Sequence, residues 1–159
     1  MKGGLDYWRC LHCGLLHQPN ARKEGVLESE YFKHYGDPHV ADLATREAVL
    51  ILERAEKLVP EKRIWELGSG IGHFAETALG TGWDYSGLDM APLALTVIKG
   101  WAYVGDIEAE SVANTKRPFA FVVGIHVVEH FMEPLRTFAK LAGYVEPGGL
   151  MFLHTPNGM

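Results

Sequence analysis

The sequence predicts an α/β fold in which helices cover both faces of a parallel sheet. From residue 63 to residue 154, short apolar segments alternate with segments of helical periodicity, as in βαβ units with right-handed crossovers. Residues 119–124 form a continuous apolar run, which is typical of a parallel strand buried on both faces. A glycine-rich segment joins the first of these strands to the next helix, so we expect a ligand crevice at the carboxyl ends of the strands.

Each element follows from apolar spacing and from residues that begin or end helices. Asp37 and Pro38 start the first helix, because aspartate caps free backbone N–H groups and proline's missing N–H costs nothing at the first helical position. Pro60 ends this helix. Its predicted apolar face consists of Val40, Ala44, Ala48, Ile51, Ala55 and Leu58. The predicted strands are residues 63–67, 83–88, 102–104, 119–124 and 150–154, and the later helices are 72–79, 92–98 and 134–142, with a turn at 147–148.

Length and charge narrow the class of protein. The 159 residues are 47% hydrophobic, which suffices for one domain with a buried core. No apolar run approaches the roughly 20 residues of a membrane span, and the N-terminus lacks the apolar centre of a signal peptide, so we expect a soluble, cytoplasmic protein. With 15 basic and 20 acidic residues, the net charge of -5 disfavours nucleic acid as a partner. A polar extension, residues 1–36, precedes the periodic core, residues 37–159.

Three glycines mark the turn from the first core strand into the next helix. Gly68, Gly70 and Gly72 allow the tight turn and the close approach of a ligand, although glycines also serve close packing alone. A dinucleotide-binding loop would place its third glycine at position 73, one residue later. Glu66 precedes the loop, where a carboxylate would repel a pyrophosphate but attract the cationic amino end of S-adenosylmethionine.

Two aspartates follow the next two predicted strands. Asp89 lies about twenty residues past the first glycine, where an acid accepts hydrogen bonds from ribose hydroxyls. Asp106 follows the third strand and is placed to accept a hydrogen bond from an adenine amino group, with Ile107 or Met90 as apolar cover for the ring. For both aspartates, the alternative is an acid in a surface turn.

Several segments together resemble a known family. Residues 64–72 (IWELGSGIG), 87–89 (GLD) and 105–106 (GD) resemble the first three motifs of class I S-adenosylmethionine-dependent methyltransferases. Residues 127–134 (VVEHFMEP), 146–149 (EPGG) and 155–157 (TPN) resemble the ubiquinone-biosynthesis O-methyltransferase branch, methyltransferase types 11, 12 and 23.

This resemblance implies a Rossmann-like core that binds S-adenosylmethionine and transfers its methyl group to an oxygen or nitrogen of a small-molecule acceptor. The family core continues past the fifth strand, so this chain is expected to lack the last strands. An open edge strand favours self-association, which makes a homodimer an expectation. The cofactor residues implied are Glu66, Gly68, Ser69, Gly70, Gly72, Asp89, Met90, Asp106, Ile107 and Gly124.

Residues 126–130 (HVVEH) follow the buried fourth strand, at the rim of the expected crevice. An inverted zincin motif would need a continuous helix here, whereas the next helix begins only at Pro134. Some relatives bind a divalent cation through Glu-x-x-Glu-His, but His126 replaces the first glutamate and imidazole favours softer metals. Three readings therefore stay open for Glu129 and His130: they bind a metal, they are catalytic with His130 as general base, or they are structural.

Two cysteines suggest a zinc-binding segment near the N-terminus. Cys10 and Cys13 have the spacing of a zinc knuckle. The segment resembles half of the zinc ribbon that precedes some methyltransferases. A structural zinc site needs four ligands, so His12, His17 or a second chain would have to complete it. The alternative is a remnant without metal.

Two other functions remain open from the sequence. The half knuckle and the short C-terminus are also compatible with a non-catalytic module, derived from a methyltransferase, that binds cofactor or interacts through zinc. A nicotinamide-dependent enzyme is the third reading, and the early Gly72 and the charge of Glu66 disfavour it.

Overall fold

A fully parallel five-stranded sheet forms the centre of the computed structural model, which describes residues 8–9, 11–12, 16–17, 36–91, 101–109 and 118–156. A separate antiparallel pair is formed by β1 (Trp8–Arg9) and β2 (Leu16–His17). The strands of the central sheet are β3 (Arg63–Leu67), β4 (Asp84–Asp89), β5 (Ala102–Val104), β6 (Phe119–Ile125) and β7 (Val145–His154). Their order is β5-β4-β3-β6-β7. The order reverses between β3 and β6, where open α/β sheets bind their ligands. The predicted fold class is thereby confirmed.

The first helix, α1 (Pro38–Ala55), begins as predicted. The Asp37 carboxylate accepts hydrogen bonds from the backbone N–H groups of His39 at 2.8 Å and Val40 at 3.4 Å. The prediction that its apolar face extends to Leu58 is wrong, because that side chain is 66% exposed. After Ala55 the N–H groups of residues 57 and 58 bond to carbonyls three positions earlier, so the chain leaves the helix in a tighter turn before Pro60.

Most other predicted boundaries agree within about one residue, whereas the last strand starts five residues earlier than predicted. The second helix, α2 (His73–Gly80), starts after Gly72, whose φ of 90° is left-handed, while the third, α3 (Pro134–Ala142), has the predicted bounds. The strand predicted to start at residue 150 begins at Val145 instead. Phe119 pairs with Val145 and Phe121 with Leu150. The predicted turn at 147–148 is therefore an irregularity inside β7, and it does not precede the strand. The predicted helix 92–98 lies outside the described residues.

Alternating side chains of the sheet form two cores. On one face, Ile64 and Phe121 pack with α1 and α2 through residues such as Leu52 and Phe74. On the other face, Trp65 packs with Leu88, Val122, Ile107 and Leu141 of α3. Each fully buried large apolar side chain contributes roughly 1.5–3 kcal/mol. Within the described residues, no helix combines the length and apolar character needed to cross a membrane. The two cores hold the strand ends, and the loops that follow them, in fixed relative positions.

Candidate functional site

A cavity of about 460 Å³ lies at the carboxyl ends of β3 and β6, and its volume is in the range of small-molecule sites. Three parts of the chain enclose it: one face of α1, the glycine loop with the start of α2, and the end of β6. Its lining residues are Val40, Leu43, Ala44, Glu47, Glu66, Gly68, Ser69, Gly70, Ile71, Gly72, His73, Phe74, Ile125 and His126. The predicted crevice is therefore present, and α1 adds a wall that the sequence analysis did not assign to it.

The glycine loop is held in a left-handed backbone conformation. Gly68, Gly70 and Gly72 have φ values of 71°, 51° and 90°, which glycine adopts without steric cost. A Cβ at Gly70 would meet nothing within 4 Å, so this glycine is required by its backbone conformation and not by close packing.

Most N–H groups of this loop already have partners inside the protein. Those of Gly68 and Ser69 donate to the Leu88 carbonyl at 2.7 and 3.2 Å. The N–H of Gly70 donates to the Asp89 carboxylate at 2.7 Å, and that of Gly72 donates to the Ser69 carbonyl at 3.0 Å. A pyrophosphate is bound by free N–H groups at such a loop. The observed hydrogen bonds therefore disfavour a dinucleotide, as the charge of Glu66 does.

Glu66 lines the cavity but is only 4% exposed. Burial raises the pKa of its carboxyl to about 8, an effect that the hydrogen bond from Tyr85 opposes and the negative charge of Asp89 reinforces. The Tyr85 hydroxyl donates to Glu66 Oε2 at 2.5 Å, and burial raises the pKa of that tyrosine as well. Among the residues that the structure describes, no cationic side chain lowers the pKa of this carboxyl. A cationic ligand group in the cavity would therefore stabilise its ionised form.

Tyr85 is a site residue that the sequence analysis missed. In the β3–β4 pair, Ile64 lies opposite Tyr85 and Glu66 opposite Gly87, so all four point to the same face. A long side chain reaches the diagonal neighbour on such a face. A Cβ at Gly87 would clash with the Tyr85 hydroxyl and lie 3.0 Å from Ser69 Cβ. The position of Gly87 opposite Glu66 depends on strand register, so no pattern along the chain pointed to Tyr85.

Asp89 lies at the end of β4, beside the glycine loop. Its two carboxylate oxygens accept hydrogen bonds from the N–H groups of Gly70 at 2.7 Å and Ala91 at 2.8 Å. Because an ionised carboxylate has about four acceptor positions, these bonds leave capacity for ribose hydroxyls. Contact with the ribose stays a prediction.

The residues predicted to surround adenine differ in accessibility. Asp106 accepts a hydrogen bond from the Glu108 N–H at 2.8 Å. Ile107 is 6% exposed and packs in the core, whereas Met90 is 61% exposed, so Met90 is the apolar residue that a ligand can reach. Gly124 has a packing role, because a Cβ there would lie 2.8 Å from Val127 Cγ1.

The predicted catalytic residues lie in a short 3-10 helix, Val128–His130, after β6. Glu129 accepts a hydrogen bond from the Thr155 hydroxyl at 3.0 Å, and its other oxygen lies 3.7 Å from His126 Nδ1. His130 is exposed and does not line the cavity, whereas His126 does. Glu129 therefore lies next to a residue that lines the cavity but does not line it itself.

Metal binding was considered at the Glu129–His130 segment and at the two cysteines, and the structure describes only the first. Among the residues that the structure describes, no three histidine, cysteine, aspartate or glutamate side chains are arranged to hold a metal ion. Cys10 and Cys13 lie outside the described residues, in the connection between β1 and β2. These strands pair Trp8 with His17. Zinc at the cysteines stays a prediction.

The chain is similar to known proteins across most of its length. The sequence model of a protein family described as a methyltransferase domain matches residues 39–159. A ubiquinone biosynthesis O-methyltransferase of Saccharophagus degradans is 31% identical over 124 residues, which are 73% of this chain and 52% of the relative. This chain thus spans about half the length of the curated relatives it matches.

Solved structures share the fold. An amino pentose methyltransferase from Micromonospora echinaspora, involved in calicheamicin biosynthesis and solved with S-adenosylmethionine bound, has a TM-score of 0.63 at 23% identity, covering 85% of this chain and 58% of that one. A protein from Pyrococcus horikoshii has a TM-score of 0.65 at 20% identity, covering 78% and 64%. The strand order, the glycine loop and the match over residues 39–159 all agree, and this chain belongs to the class I methyltransferase family.

Proposed function

We propose that this chain binds S-adenosylmethionine in the cavity and supports transfer of its methyl group to an oxygen or nitrogen of a small molecule. The observation that carries the proposal is Glu66, a buried carboxyl with a pKa raised to about 8, beside a glycine loop whose N–H groups are largely bonded already. This arrangement suits a cationic amino group and does not suit a pyrophosphate.

The remaining cofactor contacts follow from the strand ends. Glu66 and the glycine loop would hold the amino end of the cofactor, Asp89 the ribose hydroxyls, and Asp106 with Met90 the adenine. When bound, the cofactor supplies a methyl group attached to a cationic sulfur, and this sulfur becomes a neutral thioether once the methyl group is transferred. The protein's main contribution is then to align the acceptor with that methyl group.

The relatives support both kinds of acceptor atom. The curated relatives are O-methyltransferases, and one solved structure with this fold is an amino pentose methyltransferase, whose acceptor carries an amino group. No lysine or arginine lines the described cavity, which disfavours a strongly anionic acceptor. Glu129 and His130 stay predictions on the acceptor side. A cytoplasmic location and a homodimer stay predictions from the sequence.

Calorimetry with S-adenosylhomocysteine and, separately, with NAD tests the cofactor. We expect binding of the first and no heat with the second. Asp89→Asn should weaken binding of S-adenosylhomocysteine about tenfold or more, because a charge-assisted hydrogen bond contributes roughly 1.5–3 kcal/mol.

Asp84→Asn is the matched control, since Asp84 is exposed at the opposite end of β4. It should bind like the parent chain. Binding of NAD without binding of S-adenosylhomocysteine would overturn the proposal.

A further inference from the structure

Two histidines and two glutamates from different elements meet at the rim of the cavity. Glu47 of α1 lies 2.7 Å from His154 Nδ1 at the end of β7. The rings of His154 and His126 have centroids 4.9 Å apart, and His126 Nδ1 lies 3.7 Å from Glu129 Oε1. Glu47 and His126 line the cavity. The four side chains therefore form a continuous chain along the cavity wall.

The backbone of His126 is strained. Its φ of 54° is the only positive value of a non-glycine residue within the described ranges, and the left-handed region is unfavourable for a residue with a Cβ. The N–H of His126 donates to the His154 carbonyl at 2.8 Å, so pairing with β7 holds this conformation in place. Strain of this kind concentrates at functional sites, where the surrounding structure maintains it.

We propose that His126 is the base that takes the proton of the methyl acceptor, an inference that rests on the proposed methyl transfer. The acceptor's oxygen or nitrogen forms a bond to the methyl carbon while the carbon–sulfur bond breaks and its electron pair stays on sulfur. The acceptor's proton goes to Nε2 of His126. Within the part of the chain that the structure describes, nothing hydrogen-bonds this nitrogen.

The other three residues position His126. The Glu129 carboxylate, fixed by the Thr155 hydroxyl, faces the opposite ring nitrogen and stabilises the imidazolium that forms. Glu47 Oε1 lies beside His154 Nδ1 without a hydrogen bond of good geometry, and the His154 ring packs against His126. His130 is exposed and lies outside the cavity lining, which favours His126 over His130 as the base.

A pair of substitutions tests whether the positive φ of His126 strains the backbone of a residue that has a Cβ. Glycine adopts a φ of 54° freely and alanine does not, so His126→Gly should melt about 2–4 °C above His126→Ala. The same pair at His39, an exposed residue in the first turn of α1, should show the reverse order, because glycine destabilises a helix relative to alanine. If His126→Gly is the less stable of its pair, the backbone at this position is not strained and the inference is wrong.

Chemical modification tests whether His126 faces the bound cofactor. Diethylpyrocarbonate should modify His126 and His39, with the sites identified by peptide mass. S-adenosylhomocysteine should protect His126, which lines the cavity, and should leave His39 unprotected. If calorimetry shows binding of S-adenosylhomocysteine but His126 is unprotected, the inference fails and the proposed function stands. If S-adenosylhomocysteine does not bind, both fail.

Methyl transfer from radiolabelled S-adenosylmethionine to catechol or benzylamine tests the base itself. On an acceptor that the parent chain methylates, His126→Gly should lose about 10²-fold or more in rate. Added imidazole should restore part of the loss, because it enters the space that the side chain vacates. An unchanged rate in His126→Gly would overturn the inference.

Discussion

At the level of single residues, burial decides the charge of Glu66. The carboxyl is 4% exposed and its nearest polar partner is the Tyr85 hydroxyl. Burying a charge without an opposite charge is costly, and the group responds by keeping its proton. Glu66 therefore holds its proton around pH 7 in the free protein, and we expect a cation in the cavity to favour its ionised form.

The free energy of unfolding should depend on pH because Glu66 holds this proton in the folded protein. The pKa of Glu66 is about 8 in the folded protein against an ordinary 4.5, so between these values the folded state binds more protons than the unfolded state. The contribution of Glu66 to stability is then complete below pH 4.5 and is lost as pH rises through about 8. The free energy of unfolding of the parent chain should fall relative to Glu66→Gln, by at most about 1.4 kcal/mol per pH unit.

Urea denaturation from pH 5 to pH 8.5 measures this difference. Glu53→Gln is the matched control, since Glu53 is exposed on α1, and its difference from the parent should not vary with pH in this range. If Glu66→Gln and the parent also differ by a constant amount, Glu66 does not hold a proton in the folded protein.

At the level of elements, one side chain joins the loop after β5 to the start of α3. The Glu108 carboxylate accepts hydrogen bonds from the N–H groups of Met132 at 3.0 Å and Glu133 at 2.8 Å, and from the Thr137 hydroxyl at 3.0 Å. The N-cap residue of α3, Glu133, makes no side-chain capping bond of its own. Glu108 therefore supplies the cap that the helix start requires.

Removing this cap should loosen both ends that it joins. Glu108→Ala should lower the free energy of unfolding by about 0.5–2 kcal/mol. It should also weaken binding of S-adenosylhomocysteine, because Asp106 lies in the same loop. Thermal melting and calorimetry measure the two effects.

Glu133→Ala provides the comparison, because it removes only an exposed pair with Arg136, and such pairs contribute little. If the two variants melt at the same temperature, the capping role of Glu108 is wrong.

At the level of the whole molecule, every residue that lines the cavity lies between Val40 and His126. The β1–β2 hairpin pairs only with itself in the described sheets. If the chain is divided at residue 37 as predicted, the whole cavity lies within residues 37–159.

A chain that begins at residue 37 should fold and bind S-adenosylhomocysteine with the parent's affinity. Circular dichroism and calorimetry measure both properties. Loss of folding or of binding would contradict the division at residue 37.

Much of the fold could be predicted because the relevant signals are local. Asp37 and Pro38 begin α1, glycines mark the loop after β3, and the apolar run at 119–124 indicates a buried strand. The end of α1 and the start of β7 were placed wrongly, because hydrophobicity alone does not distinguish an exposed Leu58 from a buried one or show how β7 pairs with β6.

The sequence by itself determined the order of strands and helices, the glycine loop and the acids that follow the strands, since each depends on neighbours along the chain. Only the tertiary structure decided that Tyr85 reaches Glu66, that α1 closes the cavity, and that His154 packs against His126. These contacts depend on strand register and on elements that are distant in sequence. Such pairings are settled by how the whole sheet assembles and leave no periodic pattern along the chain.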